Sequence, residues 1–175
     1  MIGALGGAEP SIDAEAWIAP GAVVVGAVRI GPRSSVWYGS VLRADDDEIV
    51  VGPGCNIQDL CCLHADPGEP AVLEARVTVG HHATVHGAYV EAGALIGIGA
   101  VVLGGARIGS RSLVAAGTVV LTGTTVPPGV LFAGVPGRVI KNLTGQDYER
   151  FDRTPERYAH RATRHRDARW MTGNE

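Results

Sequence analysis

Aliphatic residues return every sixth position along most of this chain, and that period constrains the fold more than any other feature. They stand at Ile12, Ile18, Val24, Ile30, Val36 and Leu42, then at Val51, Ile57 and Leu63, and at Val79 and Val85. After one five-residue step the series resumes at Val90, Ile96, Val102, Ile108, Val114, Val120, Val126 and Phe132. A period of six matches neither the helical turn nor the two-residue alternation of a hairpin sheet. It fits short strands joined by tight corners, each turning the chain through a third of a circle. Four residues after most aliphatic positions stands something small, as in Ala22, Ser34, Ser40, Cys55, Ala94, Ala100, Ala106, Ser112 and Thr118. The interior is therefore narrow and admits a small partner beside each branched side chain. The 25 glycines are about twice the ordinary share of ~7%. They are frequent just after the aliphatic residue (Gly31, Gly52, Gly80, Gly97, Gly109), where they are expected to supply the backbone angles of corners. Coils built this way stack into parallel sheets whose strand edges are taken up by the next coil. The expected fold is an all-β core, a parallel β-helix over residues 12–132 of six or seven coils.

Two interruptions break the rhythm. "RADDDEIV", residues 43–50, reads as an acidic excursion from the sheet. Sixteen residues separate Leu63 from Val79, four more than two repeats need, and "ADPGEP" among them carries the turn chemistry of a loop. Breaks in a strict solenoid are where function tends to sit. After "VPGRVIKNL" the repeats stop, which divides the chain into a β-helix over 1–141 and a C-terminal helical segment over 142–175. Thr144 with Asp147 marks a helix start, and Thr154-Pro155 marks a second helix or a kink. Tyr148, Phe151, Tyr158 and Ala162 are expected to form a stripe against the β-helix or a neighbour. Residues 149–169 hold seven arginines, read as a solvated face with Glu149, Asp152, Glu156 and Asp167 as their partners.

Composition excludes several classes. With 46% hydrophobic residues, 19% charged residues and a net charge of −3, nothing draws the chain to nucleic acid or to an anionic membrane. No charged residue lies between Arg111 and Arg138, but that stretch holds Pro127-Pro128, five glycines and the six-residue repeat, which no membrane helix of ~20 residues would carry. "MIGALGGAEPSID" has no basic and no apolar region of a signal peptide. Three cysteines, an odd number, then suit free thiols in a reducing cytoplasm. Cys55 and Cys61 read as interior filler, whereas Cys62 points the other way and sits two residues before His64.

The repeat also gives the histidines of "TVGHHATVHG", residues 78–87, their directions. His64 follows interior Leu63 and His86 follows interior Val85, so both face outward. They are 22 residues apart, one coil plus the four-residue insertion, and should stack on one face at the ~4.8 Å spacing of neighbouring strands. Two imidazoles so placed can converge on one zinc ion. His81 lies in the preceding repeat and faces another side, so it reaches the same metal only from a neighbouring molecule, as in a threefold oligomer with sites at its interfaces. His82 is out of phase and reads as structural or surface.

The segments "NIQDLCCLHADPGEP" and "TVGHHATVHGAYVEAGALIGIGAVVLGGARIG" resemble the γ-class carbonic anhydrase family, built on the left-handed parallel β-helix of hexapeptide repeats. Asn56, Gln58, Asp59, His64, His81 and His86 match its pattern, as do Arg43 and Asp45 upstream, and the resemblance covers roughly residues 10–165. It implies a homotrimer in which His64 and His86 of one chain and His81 of the next bind zinc, with iron or cobalt as the other candidates. It implies reversible hydration of carbon dioxide to bicarbonate by a metal-bound hydroxide, with Gln58 holding that water or hydroxide. Asn56 would shape the pocket, while Arg43, Asp45 and Asp59 would form a charged network across the interface. Asp46, Asp47, Glu48 and Glu69 are the candidate proton carriers, and Phe132 stands where relatives often carry tyrosine. Two other classes stay open. "VPPGVLFAGVPGRVIK" is shared with hexapeptide acyltransferases that use acyl-CoA, in which His81 or His86 would act as general base. A non-catalytic trimer fastened by metal is the third.

Overall fold

Each repeat contributes a strand of two or three residues and a turn, and three strands complete a coil. In the computed structural model, which describes residues 1–169, the coils stack into a parallel β-solenoid with three faces. The first face runs through residues 23–26, 41–44, 62–64, 84–86, 101–102 and 119–120. The second runs through 11–12, 28–30, 49–51, 71–73, 89–90, 107–108 and 125–126. The third runs through 17–18, 35–36, 56–57, 78–79, 95–96, 113–114 and 130–134, against which residues 137–142 return antiparallel. An additional strand, Ile2–Gly3, pairs with Val24 and Val25 ahead of the first repeat.

The six-residue set fills the interior. Val24, Leu42, Leu63, Val85, Val102 and Val120 from the first face meet their counterparts from the other two with no exposure. Leu73 belongs to the same set, and the inserted turn shifts it out of the six-residue count. The small residues lie buried beside them, and the serines bond the backbone: Ser34 Oγ donates to the Gly52 carbonyl at 2.7 Å and Ser40 Oγ to that of Gln58 at 2.6 Å.

One expectation needs correcting. The glycines that follow the aliphatic residue do not take left-handed angles. They are there because the next coil leaves no room: a Cβ on Gly97 would stand 2.5 Å from the Ala116 backbone nitrogen. The left-handed positions fall two residues later, at Gly54, Gly99 and Gly117 among others. The acidic stretch bulges from the ladder as expected: Ala44 pairs with Gly26 and Ile49 with Val28, so residues 45–48 stand opposite Ala27 alone. It lies inside one strand, Val41–Val51, that carries the first face around the corner into the second, with its extra residues accommodated where the register shifts opposite Gly26 and Val28. The Thr154-Pro155 signal resolves as a second helix: the C-terminal segment holds α1 (Gly145–Phe151) and α2 (Thr154–Arg166). Pro155 has no N–H and would clash with the carbonyl of Phe151, so one continuous helix cannot form.

Asp147 caps α1 by accepting from the Thr144 backbone and hydroxyl at 2.9 Å. The aromatic stripe lies on the chain's own β-helix: Tyr158 and Ala162 are buried with Trp17, Ala19 and Trp37, and Trp37 stacks edge-on to Tyr158 with centroids 5.1 Å apart. Asp152 and Glu156 do not pair with the helical arginines. They pair with Arg111 and Arg76 of the β-helix, because the acidic edge of the helices faces the solenoid. Residues 170–175 of the C-terminal segment lie outside the described residues. Among the described residues no helix is long and apolar enough to cross a membrane.

Candidate metal centre

Arg43, His64 and His86 occupy matching positions on three consecutive first-face strands, each directly after a buried residue, Leu42, Leu63 or Val85. They project where that face turns into the second. His64 and His86 are directly paired in register, with ring centroids 5.0 Å apart and His64 Nδ1 3.1 Å from His86 Nε2. The inserted turn brings a third donor. Asp66 Oδ1 lies 3.6 Å from His64 Nδ1 and 3.6 Å from His86 Nε2. The turn is held by its own backbone, Glu69 N–H donating to the Asp66 carbonyl at 2.8 Å, and by Gly68 N–H donating to Asp47 Oδ2 at 2.9 Å. Asp66 does not follow from the repeat. The signal that finds it is the two-residue spacing from His64, which on extended chain returns a side chain to the same face.

The other nitrogen of His64 is taken by Asp45, whose Oδ1 lies 2.9 Å from Nε2 and which also accepts from Arg43. Burial tends to raise the Asp45 carboxyl, but the hydrogen bonds from His64 and Arg43 outweigh it and hold the group below its ordinary value. A carboxylate on one ring nitrogen is the usual way a metal-binding imidazole is oriented, with the other nitrogen presented.

His81 lies at the opposite edge of the first face, in the corner that leads in from the third. Asp59 Oδ2 is 2.8 Å from its Nδ1, and the Tyr158 hydroxyl of α2 is 3.3 Å from its Nε2. Beside it on the third face a buried amide chain runs from Gln58 Nε2 to Asn56 Oδ1 at 3.0 Å and from Asn56 Nδ2 to Thr78 Oγ1 at 2.9 Å. The structure therefore sorts the expected residues into two groups: Arg43, Asp45, His64 and His86 at one edge, Asn56, Gln58, Asp59 and His81 at the other. His81 and His86 are five residues apart across a corner, His82 being left-handed, so the strand that carries His86 begins only at Thr84. Among the described residues, the metal-capable groups with donor atoms within 4.8 Å of one another are His64–Asp66–His86 and Asp45–Asp46–His64, and neither contains His81. His82 is exposed in the turn. Cys62 is exposed between Val41 and Thr84, while Cys55 and Cys61 are buried. Of the acidic residues expected to carry protons, Glu48 is paired with Arg29 and Asp47 with the Gly68 backbone, whereas Asp46 belongs to the group around His64.

Two imidazole nitrogens and a carboxylate oxygen, oriented from behind by Asp45, are donors that a divalent transition metal takes, so the residues present fit such an ion. Comparison with known proteins points the same way. The model of the bacterial transferase hexapeptide, six repeats, matches residues 87–122. A Methanocaldococcus jannaschii protein named "Probable carbonic anhydrase" is 50% identical over 141 residues, 81% of this chain and 89% of that protein. Mitochondrial gamma carbonic anhydrase 1 of Arabidopsis thaliana is 38% identical over 89% of this chain, which spans 59% of that protein's length. Among solved structures, a Bacillus cereus protein described as a candidate acetyltransferase superposes with a TM-score of 0.92 at 36% identity, covering 93% of this chain and 95% of its own. A stacked histidine pair on a hexapeptide solenoid, in a sequence half identical to a carbonic anhydrase relative, means that this chain belongs to the γ-class carbonic anhydrase family.

Proposed function

We propose that this protein hydrates carbon dioxide reversibly to bicarbonate at zinc sites shared between the subunits of a homotrimer. The observation that carries the reading is the division of the site residues between the two edges of one face. His64 and His86 can accept a third imidazole, and His81 of the same chain is not among the donors grouped with them. If three chains turn this face toward a threefold axis, one edge of each chain meets the opposite edge of the next, and the heterologous contact closes as a ring. The face suits such burial. Its outward column of Val23, Val41, Cys62, Thr84, Val101 and Val119 carries no charge, unlike the second face with Arg29 and Arg107.

His64 and His86 hold the metal with His81 of the neighbouring chain, and zinc suits three neutral imidazoles, with iron or cobalt the alternatives for the same donors. When bound, such a metal supplies Lewis acidity that makes a hydroxide nucleophile available near neutral pH. Asp45 and Asp59 fix the ring orientations of His64 and His81. Gln58, its amide set by Asn56 and Thr78, hydrogen-bonds the attacking water and orients it toward the carbon of carbon dioxide. Asp46 passes the released proton to solvent. The free thiols suit work in the cytoplasm.

Subunit complementation tests this reading. His81→Ala chains and His64→Ala chains each lack part of every site. Each mixed trimer has one interface at which intact His64 and His86 meet intact His81. Random 1:1 assortment makes three-quarters of the trimers mixed, so the mixture should recover about one quarter of wild-type carbon dioxide hydration. Activity no higher than in either parent would rule the shared site out. A second reading, acyl transfer from an acyl-CoA, draws on the acetyltransferase description of the Bacillus cereus structure. It predicts tight binding of a CoA analogue and activity that survives removal of metal by a chelator.

A further inference from the structure

Resting on the metal-site reading above, we propose that Asp66 is a metal ligand of the unassembled chain: with His64 and His86 it forms a complete two-histidine, one-carboxylate site within a single subunit, and the neighbour's His81 takes over its position on assembly. Donor atoms about 2.05 Å from a tetrahedral centre lie about 3.3 Å apart. The three edges of the triangle formed by His64 Nδ1, His86 Nε2 and Asp66 Oδ1 are 3.1, 3.6 and 3.6 Å. That triangle is already one face of such a tetrahedron, with the fourth corner open to solvent on the exposed side of Asp66, whose side chain is 48% accessible.

The elements holding the three donors all belong to one chain. His64 and His86 are locked by strand register, and His64 is oriented from behind by Asp45. Asp66 is carried by a turn that closes on its own backbone, leaving its side chain no other role in that turn. Two neutral imidazoles and one carboxylate also make a donor set that suffices for divalent zinc in its catalytic sites. His81, meanwhile, is engaged in the lone chain by Asp59 on one nitrogen and the Tyr158 hydroxyl on the other. Both halves of the interfacial site therefore have stand-in partners within the monomer, and metal capture does not have to wait for assembly.

The test titrates metal-free protein with cobalt(II), followed by the visible absorption of the bound ion and by equilibrium dialysis. His81→Ala removes the interfacial ligand and should still bind about one cobalt per chain. Adding Asp66→Ala to that background should weaken binding by at least ~10-fold, on the scale set by loss of lesser, outer-shell partners. Asp66→Ala alone, with His81 intact, should bind as tightly as wild type. Equal affinities for His81→Ala and the double variant, or no binding by His81→Ala, would overturn the role of Asp66. If instead His81→Ala matches wild type throughout, the interfacial ligand falls, while the drop caused by Asp66→Ala in that background still stands for the single-chain site. Asp66 lies in a half-exposed turn, so the substitutions leave the core intact.

Discussion

Cys61 and Cys62 are adjacent in sequence and opposite in environment, because successive side chains of a strand leave on opposite sides. Burial pushes the Cys61 and Cys55 thiols up to about 12, whereas Cys62 stands in the open. The thiolate is the reactive form, so the two interior groups are protected by pKa as well as by access. The sign follows from linkage. A thiol whose pKa is raised in the folded state favours the fold fully below the ordinary value of 9.0, and that contribution fades as pH climbs from there toward 12. A disulfide-forming reagent at pH 8 should therefore modify at most one thiol per native chain, Cys62, and all three in denaturant; two or more in the native protein would contradict this assignment. His64 and His86 were readable from the repeat, each following an interior residue and standing one coil plus the insertion apart. For Asp66 the two-residue spacing gives only the face, because its distance from the two imidazoles depends on how the inserted turn folds back over the strand.

At the level of the elements, glycine has two separate uses that sequence inspection merges. Gly97 follows buried Ile96 and is crowded by the backbone of the next coil, whereas Gly99 has open space but a φ of +65°. Gly99→Ala should cost the ~1–2 kcal/mol of a left-handed L-residue. Gly97→Ala meets immovable backbone and should cost about 3 kcal/mol or more, at the upper end of overpacking. Urea midpoints of the two variants check the ordering, and equal losses would refute the close-approach account. The helices repeat the pattern of partial legibility. The Thr144–Asp147 start is local chemistry and reads directly. The pairing of Asp152 with Arg111 and Glu156 with Arg76 does not, since it depends on which edge of the helices meets the solenoid.

For the whole molecule, the uncharged column on the first face is the feature with the largest consequence. Val101 belongs to it, in register with Thr84 and Val119. Val101→Lys would bring a charge to the proposed threefold axis and should convert trimers to monomers in sedimentation. Val72→Lys, at the outward position of the second face in register with Tyr89, should leave the assembly whole. An unchanged sedimentation coefficient for Val101→Lys would mean that another face mediates assembly. The solenoid itself, its coil count and the stacking of His64 on His86 were determined by the sequence, because a six-residue period leaves the chain one regular way to bury its aliphatic residues. The tertiary structure alone decided the rest: that Asp47 of the acidic bulge reaches the Gly68 backbone of the inserted turn, and that Asp66 closes a donor triangle. Those outcomes depend on where turns of irregular length return the chain, and no periodicity encodes that return.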